Sequence, residues 1–192
     1  MQRFAKINEL KDKRVHMALG QFDGVHIGHQ ALLQRCLDSA KQAGRPSCVF
    51  TFATTPHPEK EKALGKSLMT IEEKLGFFEK MGFDYTLMMP FDDEIRLTPK
   101  KEFLDMLAIE NRVEAVYCGE DFRFGFMGQG DVDFLKKYCR QSGTMQAVVV
   151  PTVSLFGKAV SSTRIRAALL QHEDQLASAL LGREYREEDG GK

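Results

Sequence analysis

Five short apolar runs alternate with segments of helical spacing along this chain, and that alternation decides its fold class. The runs are Val15–Leu19, Ser47–Phe52, Tyr85–Met89, Ala115–Cys118 and Ala147–Val150. Each is too short for a buried helix, and most are rich in β-branched or aromatic residues, so all five read as strands. After the first run, Leu32, Leu33, Cys36, Leu37 and Ala40 recur at helical spacing within Gln30–Ala43. Gly44 stops that helix and Pro46 lies beyond it. Thr70-Ile71-Glu72-Glu73 has the form of a capping box, opening a helix with Ile71, Leu75, Phe78 and Met81 on one face. Thr98-Pro99 predicts another helix start, with the threonine as cap. Asp131 opens a further helix at about Val132–Ser142, which ends near Gly143. Strands separated by helices make βαβ units, and these build a parallel sheet covered on both faces. The expected architecture is a Rossmann-like, doubly wound parallel sheet of about five strands, with ligands beyond the strands' carboxyl ends. One domain is expected over residues 1–185. Its last segment, Ser161–Leu181, reads as one or two helices. The charges from Arg183 to Asp189 read as a solvated stretch running into a tail at 186–192.

Composition narrows the function classes. Lys plus Arg and Asp plus Glu both total 27, giving a formal net charge of zero. A polynucleotide binder draws much of its affinity from a basic excess, so no nucleic-acid partner is expected. The 4 cysteines, Cys36, Cys48, Cys118 and Cys139, have no zinc-ligand spacing and read as small buried residues or free thiols. The N-terminus has no apolar signal core and no stretch has membrane-spanning length, so a cytoplasmic protein without membrane contact is expected.

The strongest chemical signal is Gly20-Gln-Phe-Asp-Gly-Val-His-Ile-Gly-His29, directly after the first strand. His26 and His29, three apart at a helix start, project to one side of its first turn. They lie beside free backbone N–H groups and the positive end of the helix dipole, which suits a phosphate. A doubly protonated ring could donate to phosphate oxygens as charge builds there. Gly28 permits close approach of backbone to ligand. The plain alternative makes one histidine a cap and the other a surface residue. No P-loop pattern occurs.

Val160-Ser-Ser-Thr-Arg-Ile-Arg166 places three hydroxyl residues, Ser161, Ser162 and Thr163, at a helix start. Arg166 lies three residues past Thr163, over the same end, and its fork matches phosphate oxygens. Taken alone, the reading as an ordinary cap with a solvated arginine would win. In the loop from Gly119 to Gly130, Asp121 could meet a ribose, a base or a metal. Phe122, Phe124 and Phe126 could stack on an aromatic ligand or form a small core beneath the loop. In Thr54–Glu59, the prolines fix an extended turn, with His57 a loop residue.

Together these elements resemble the bacterial FAD synthetases, specifically their FMN adenylyltransferase module, over about residues 13–185. The G-x-F-D-G-V-H-x-G-H signature is met by Gly20, Phe22, Asp23, Gly24, Val25, His26, Gly28 and His29. The S-S-T-x-I-R motif is met by Ser161, Ser162, Thr163, Ile165 and Arg166. Gly119, Asp121, Phe122, Phe124 and Gly125 match G-x-D-F-x-F-G, and Thr51, Phe52, Pro56, His57 and Pro58 match T-F…P-H-P. Leu181-Gly-Arg…Tyr185 is similar to the family's junction sequence. The resemblance implies that the AMP of ATP is joined to FMN, giving FAD and pyrophosphate. His26, His29 and Arg166 would be the catalytic residues. ATP would be bound by them with Gly20, Phe22, Asp23, Gly24, Gly28, Gly119, Asp121, Ser161, Ser162 and Thr163. Flavin would lie near Phe52, Pro56, His57, Pro58, Phe124 and Phe126. Magnesium is expected on the triphosphate rather than on protein ligands. Because the chain stops at Lys192, soon after the junction, no riboflavin kinase activity is expected. Ala53-Thr54-Thr55 also makes a longer path to the prolines than the family usually shows. Two other readings use the same residues: a nucleotidylyltransferase with a different phosphorylated acceptor, and a flavin or nucleotide sensor without turnover.

Overall fold

The four residues of β2 (His16–Leu19) are all buried, as the central strand of a parallel sheet requires. The computed structural model describes residues 1–10, 14–53, 67–110 and 112–185. β3 (Ser47–Phe52) and β4 (Tyr85–Met89) lie on one side of β2, and β5 (Ala115–Gly119) and β6 (Gln146–Val150) on the other. These are the five expected strands, with boundaries shifted by at most one residue. A sixth, β1 (Gln2–Phe4), pairs with Tyr85–Leu87 at the edge, giving the order β1-β4-β3-β2-β5-β6, with all pairings parallel. β1 is short and half polar, so it carries no apolar run. Its place is set by pairing with β4. A two-stranded hairpin, β7 (Ser154–Leu155) and β8 (Lys158–Ala159), is likewise absent from the apolar pattern.

Alternation along β2 feeds two cores. Met17 and Leu19 face a cluster containing Leu104, Leu107, Leu135 and Phe124, while Ala18 faces one containing Leu33, Cys36, Phe22 and Phe78. The second cluster is covered by α1 (Ile27–Ala43) and α2 (Ile71–Met81). α2 opens with the capping box read from sequence: Thr70 Oγ1 accepts from Glu73 N, and Glu73 accepts from Thr70 N at 2.6 Å. α1 begins three residues earlier than its apolar spacing suggests, because His26 caps it.

The Thr98-Pro99 reading needs correction. Thr98 does not cap the helix that follows. It closes a short helix, α3 (Asp93–Leu97), and its hydroxyl donates to Glu94 O at 2.7 Å. α4 (Lys100–Asp105) then starts with Pro99 in the cap position. α5 (Val132–Ser142) matches its sequence reading, with Asp131 Oδ1 accepting from Phe134 N at 2.8 Å and Gly143 closing it at φ 63°. Ser161–Leu181 proves to be two helices, α6 (Ser162–Leu170) and α7 (Asp174–Leu181). They share a third core with Leu68 and Val160. Among the described residues, no helix is long and apolar enough to cross a membrane.

The chain moves outward from β2 through β3 to β4, then returns to β2's other side as β5. The strand order therefore switches at β2 and β5, the position where a doubly wound sheet opens a crevice. The loops leaving these two strands are the glycine–histidine turn and the aromatic loop.

Candidate functional site

The Gly20–His29 turn is built around a buried phenylalanine. Phe22 takes a left-handed conformation (φ 52°) and drops its ring under the turn, where only 1% of it is exposed. A Cβ on Gly20 would come within 2.9 Å of that ring, which explains the first glycine. Asp23–Val25 forms a single 3₁₀ turn that Gly24 makes possible at φ 75°. His26 follows in extended geometry and caps α1: its Nδ1 accepts from His29 N at 3.2 Å. That bond assigns the tautomer, because an accepting Nδ1 leaves the proton of a neutral ring on Nε2. The His26 and His29 rings stack with centroids 3.6 Å apart and planes 13° apart. Phe22 meets His29 edge-on at 5.3 Å. A side chain at residue 28 would sit 3.2 Å from the His26 ring, so Gly28 keeps this stack open. His26 is thus both a cap and a candidate ligand donor, which unites the two readings that sequence left separate.

The expectation of a doubly protonated histidine is corrected by this burial. Loss of hydration holds His26 down to about 4, against a smaller opposing pull from Asp23, a backbone hydrogen bond and Asp121. His29 lies well below the usual histidine value, chiefly through burial and then through the charges of His26 and Lys74. Both rings are neutral in the free protein at neutral pH. A neutral Nε2–H still donates to a phosphate oxygen, and an arriving triphosphate would raise both affinities for protons. A stability prediction follows. A histidine that resists protonation when folded lets the unfolded chain take up protons first as pH falls below about 6.5. Stability is therefore full above that value and declines as pH falls toward 4. His26 alone contributes about 3 kcal/mol across this window. Urea midpoints should fall between pH 7.5 and pH 5. His26→Gln should flatten the slope, and equal slopes in the two proteins would contradict the assignment.

Asp23 joins the second motif to the first. Its carboxylate forms an ion pair with Arg166, both side chains being nearly nine-tenths buried. Its other oxygen accepts from Ser67 Oγ and Leu68 N, each at 2.9 Å. Ser162 Oγ donates to the backbone carbonyl of Asp23 at 2.9 Å. Ser161 caps α6 by accepting from Arg164 N at 3.2 Å, and Thr163 is exposed on the helix's first turn. Arg166 is therefore not a solvated arginine. Arg164, beside it, ties the hairpin in place by donating to the carbonyls of Leu155 at 2.9 Å and Lys158 at 2.8 Å. Asp23 is positioned as a structural hub: a carboxylate would repel a triphosphate, and this one is occupied by donors from two segments, Ser67–Leu68 and α6.

From the other side of the crevice, Gly119 ends β5 and Asp121 is exposed near enough for its charge to act on His26. A Cβ on Gly119 would lie 3.0 Å from Asp121 Oδ1. Glu120 anchors this loop to the chain beyond β6, accepting from Thr152 N at 2.8 Å. The aromatic residues divide. Phe124 is buried against Phe103 (5.5 Å), Phe122 (5.5 Å) and Phe134 (6.4 Å), so of the two roles its sequence left open it is core, not the flavin-side surface that the resemblance implies. Phe122 and Phe126 keep partial exposure. A side chain at residue 125 would collide with the Lys100 backbone at 2.5 Å, which fixes glycine there. Phe52 ends β3 between Phe50 (5.2 Å) and Phe91 (5.0 Å). Pro56, His57 and Pro58 lie outside the described residues.

The structure thus brings His26, His29, Asp23, Ser162, Arg166 and Asp121 to one end of the sheet. Residues 8–164 match the family model described as FAD synthetase. The chain belongs to the FAD synthetase family. A bifunctional riboflavin kinase/FMN adenylyltransferase from Pseudomonas fluorescens is 35% identical over 170 residues, covering 88% of this chain and 54% of that protein. One from Listeria monocytogenes is 32% identical over 182 residues, 93% of this chain and 57% of that protein. The chain spans about half the length of these curated relatives. Among solved structures, a macrolide-efflux protein from Streptococcus pneumoniae superposes with a TM-score of 0.81 at 24% identity. It covers 95% of this chain and 61% of the other. That likeness shows the fold alone.

Three contributors to the site escaped the sequence reading. Lys74, 4% exposed, donates from Nζ to Gln21 O at 3.0 Å. Gln30 Nε2 bridges the carbonyls of Val25 and Leu181, at 2.8 and 2.9 Å. Arg183, read as the start of a solvated stretch, donates to Gly24 O at 2.8 Å and stands 5.7 Å over the Phe77 ring. A lysine on an apolar helix face was the one visible signal among them.

Proposed function

We propose that this chain transfers the adenylyl group of ATP to FMN, forming FAD and pyrophosphate. The observation that carries the reading is the Asp23 hub. It sets the stacked histidines, the hydroxyl-rich start of α6 and Arg166 around one point beside the β2–β5 crevice. The membership in the FAD synthetase family supports FMN as acceptor, since the relatives' FMN adenylyltransferase activity is named for it.

In this reading an oxygen of the FMN phosphate attacks the α-phosphorus of ATP. The new P–O bond forms as the bond to the β-phosphate's bridging oxygen breaks, and pyrophosphate leaves with that electron pair. No protein nucleophile takes part. Catalysis therefore rests on positioning and on donors aimed at the developing charge. His26 Nε2–H is one such donor. The first-turn amides of α1 and α6, that of Ser162 included, and the hydroxyl of Thr163 hold the outer phosphates, with Arg166 joining them from its Asp23 anchor. Asp121 faces the ribose or base, and Phe52, Phe122 and Phe126 border the flavin side. Magnesium suits the triphosphate as a hard ion with oxygen ligands supplied mainly by phosphates and water. Among the described residues no three His, Cys, Asp or Glu side chains gather as a metal site.

Incubation with FMN, ATP and magnesium should yield FAD and pyrophosphate, read by chromatography, while a parallel tube with riboflavin yields no FMN. Protein that binds ATP but forms no FAD would move the assignment to another acceptor or to a sensor.

A further inference from the structure

Lysine is among the residues least often buried, and Lys74 is buried against the underside of the catalytic turn. It stands in the first turn of α2, where the capping box fixes the helix start. Its ammonium donates to Gln21 O, and Thr51 Oγ1 donates to the same carbonyl, each at 3.0 Å. Gln21 immediately precedes Phe22, and Phe78, one helical turn beyond Lys74, meets the Phe22 ring edge-on at 5.8 Å. Phe22 in turn meets His29. One face of α2 therefore grips the turn twice, by main chain through Lys74 and by ring through Phe78. Two buried side-chain atoms of the turn and helix start have no hydrogen-bond partner, Gln21 Oε1 and His29 Nδ1.

We propose that Lys74 is a positioning residue of the phosphate site, clamping the Gly20–Asp23 main chain through Gln21 O. This rests on the reading of the histidine pair given above. The physical reason for a lysine here is twofold. A neutral donor would hold Gln21 O equally well, but only a cation also biases the neighbouring ring toward its neutral state and adds to the attraction for an incoming triphosphate. The charged and titratable groups facing the pair are Lys74 from α2, Asp23 from the turn itself and Asp121 from the β5 loop. The two aspartates act on His26, and Lys74 acts on His29.

The test uses Lys74→Met, which keeps the buried volume, and Lys74→Gln, which keeps a donor without the charge. Histidine ring resonances are followed by NMR as pH is lowered, with His29 assigned from a His29→Gln variant. Turnover and KM for ATP are measured on the same proteins. The expected result is an upward move of the His29 titration in both Lys74 variants, with turnover lowered roughly 10- to 100-fold. Lys74→Gln should lose less turnover than Lys74→Met. A wild-type His29 titration in either folded variant overturns the proposal, because a purely structural lysine would leave that ring's protonation alone. The titration is read without FMN or FAD, so it stands even if the acceptor assignment fails.

Discussion

His26→Asn should leave a folded protein whose FAD formation is slower by about 10²–10³-fold, equivalent to about 2.7–4 kcal/mol of transition-state stabilisation. The choice of asparagine separates two jobs that the wild-type ring performs together. His26 caps α1 through Nδ1, and asparagine is among the best residues for that position, so the helix start is retained. What asparagine does not reproduce is a flat ring stacked on His29 that keeps an Nε2–H while Nδ1 accepts. His26→Ala removes both functions and should add a stability loss of about 1 kcal/mol from the missing cap. Steady-state rates at saturating ATP and FMN, together with urea denaturation of both variants, check the pair. Wild-type turnover in the folded His26→Asn protein would remove His26 from the reaction.

The second large effect is expected at the Asp23–Arg166 pair. Removing one partner of a buried ion pair leaves the other's charge uncompensated, which typically costs about 3–5 kcal/mol. Asp23→Ala and Arg166→Ala should each destabilise the protein by about that amount and nearly abolish adenylyl transfer. The Asp23 carboxylate brings more than the pair, since Ser67 Oγ and Leu68 N also donate to it. Asp23→Ala should therefore be the less stable of the two. Because the residues share one contact, the double variant should be less destabilised than the sum of the singles, and a thermodynamic cycle measures the difference. Strict additivity would show that the two residues act independently.

Sequence was most informative where the cause is local. Thr70 and Glu73, Asp131 and Phe134, and Gly44 and Gly143 are caps or stops formed within a few residues, and each was readable from spacing. The four inner strands were visible because strands buried on both faces are uniformly apolar, and the edge strand β6 because Ala147–Val150 keeps an apolar run. β1 was not, because an edge strand can be half polar and takes its place from its partner. Thr98 was misplaced because a threonine between two helix starts can close one or open the other, and only the Glu94 carbonyl decides.

The site shows the same division. The two motifs were recognisable one at a time, as a turn after β2 and a helix start near residue 161. Their union through Asp23 and Arg166, 143 positions apart, is a tertiary fact with no periodic signature. Arg183 reads as a solvated charge until the carbonyl of Gly24 is found beside it. Phe124 reads equally as a stacking surface or as core until Phe103 and Phe134 are seen to cover it. The ionisation of the histidines was misjudged for a related reason. Residue type alone gives the usual value, and burial, which lowers it, belongs to the fold.

The most direct test of the central claim is a single-turnover experiment with ATP labelled at the α-phosphate, mixed with FMN and excess protein and quenched over time. The account predicts that the label appears in FAD, at the rate of pyrophosphate release and with no labelled protein intermediate. Label remaining in ATP while the protein is folded and ATP-bound, or label retained on a protein side chain, would contradict direct adenylyl transfer at this site.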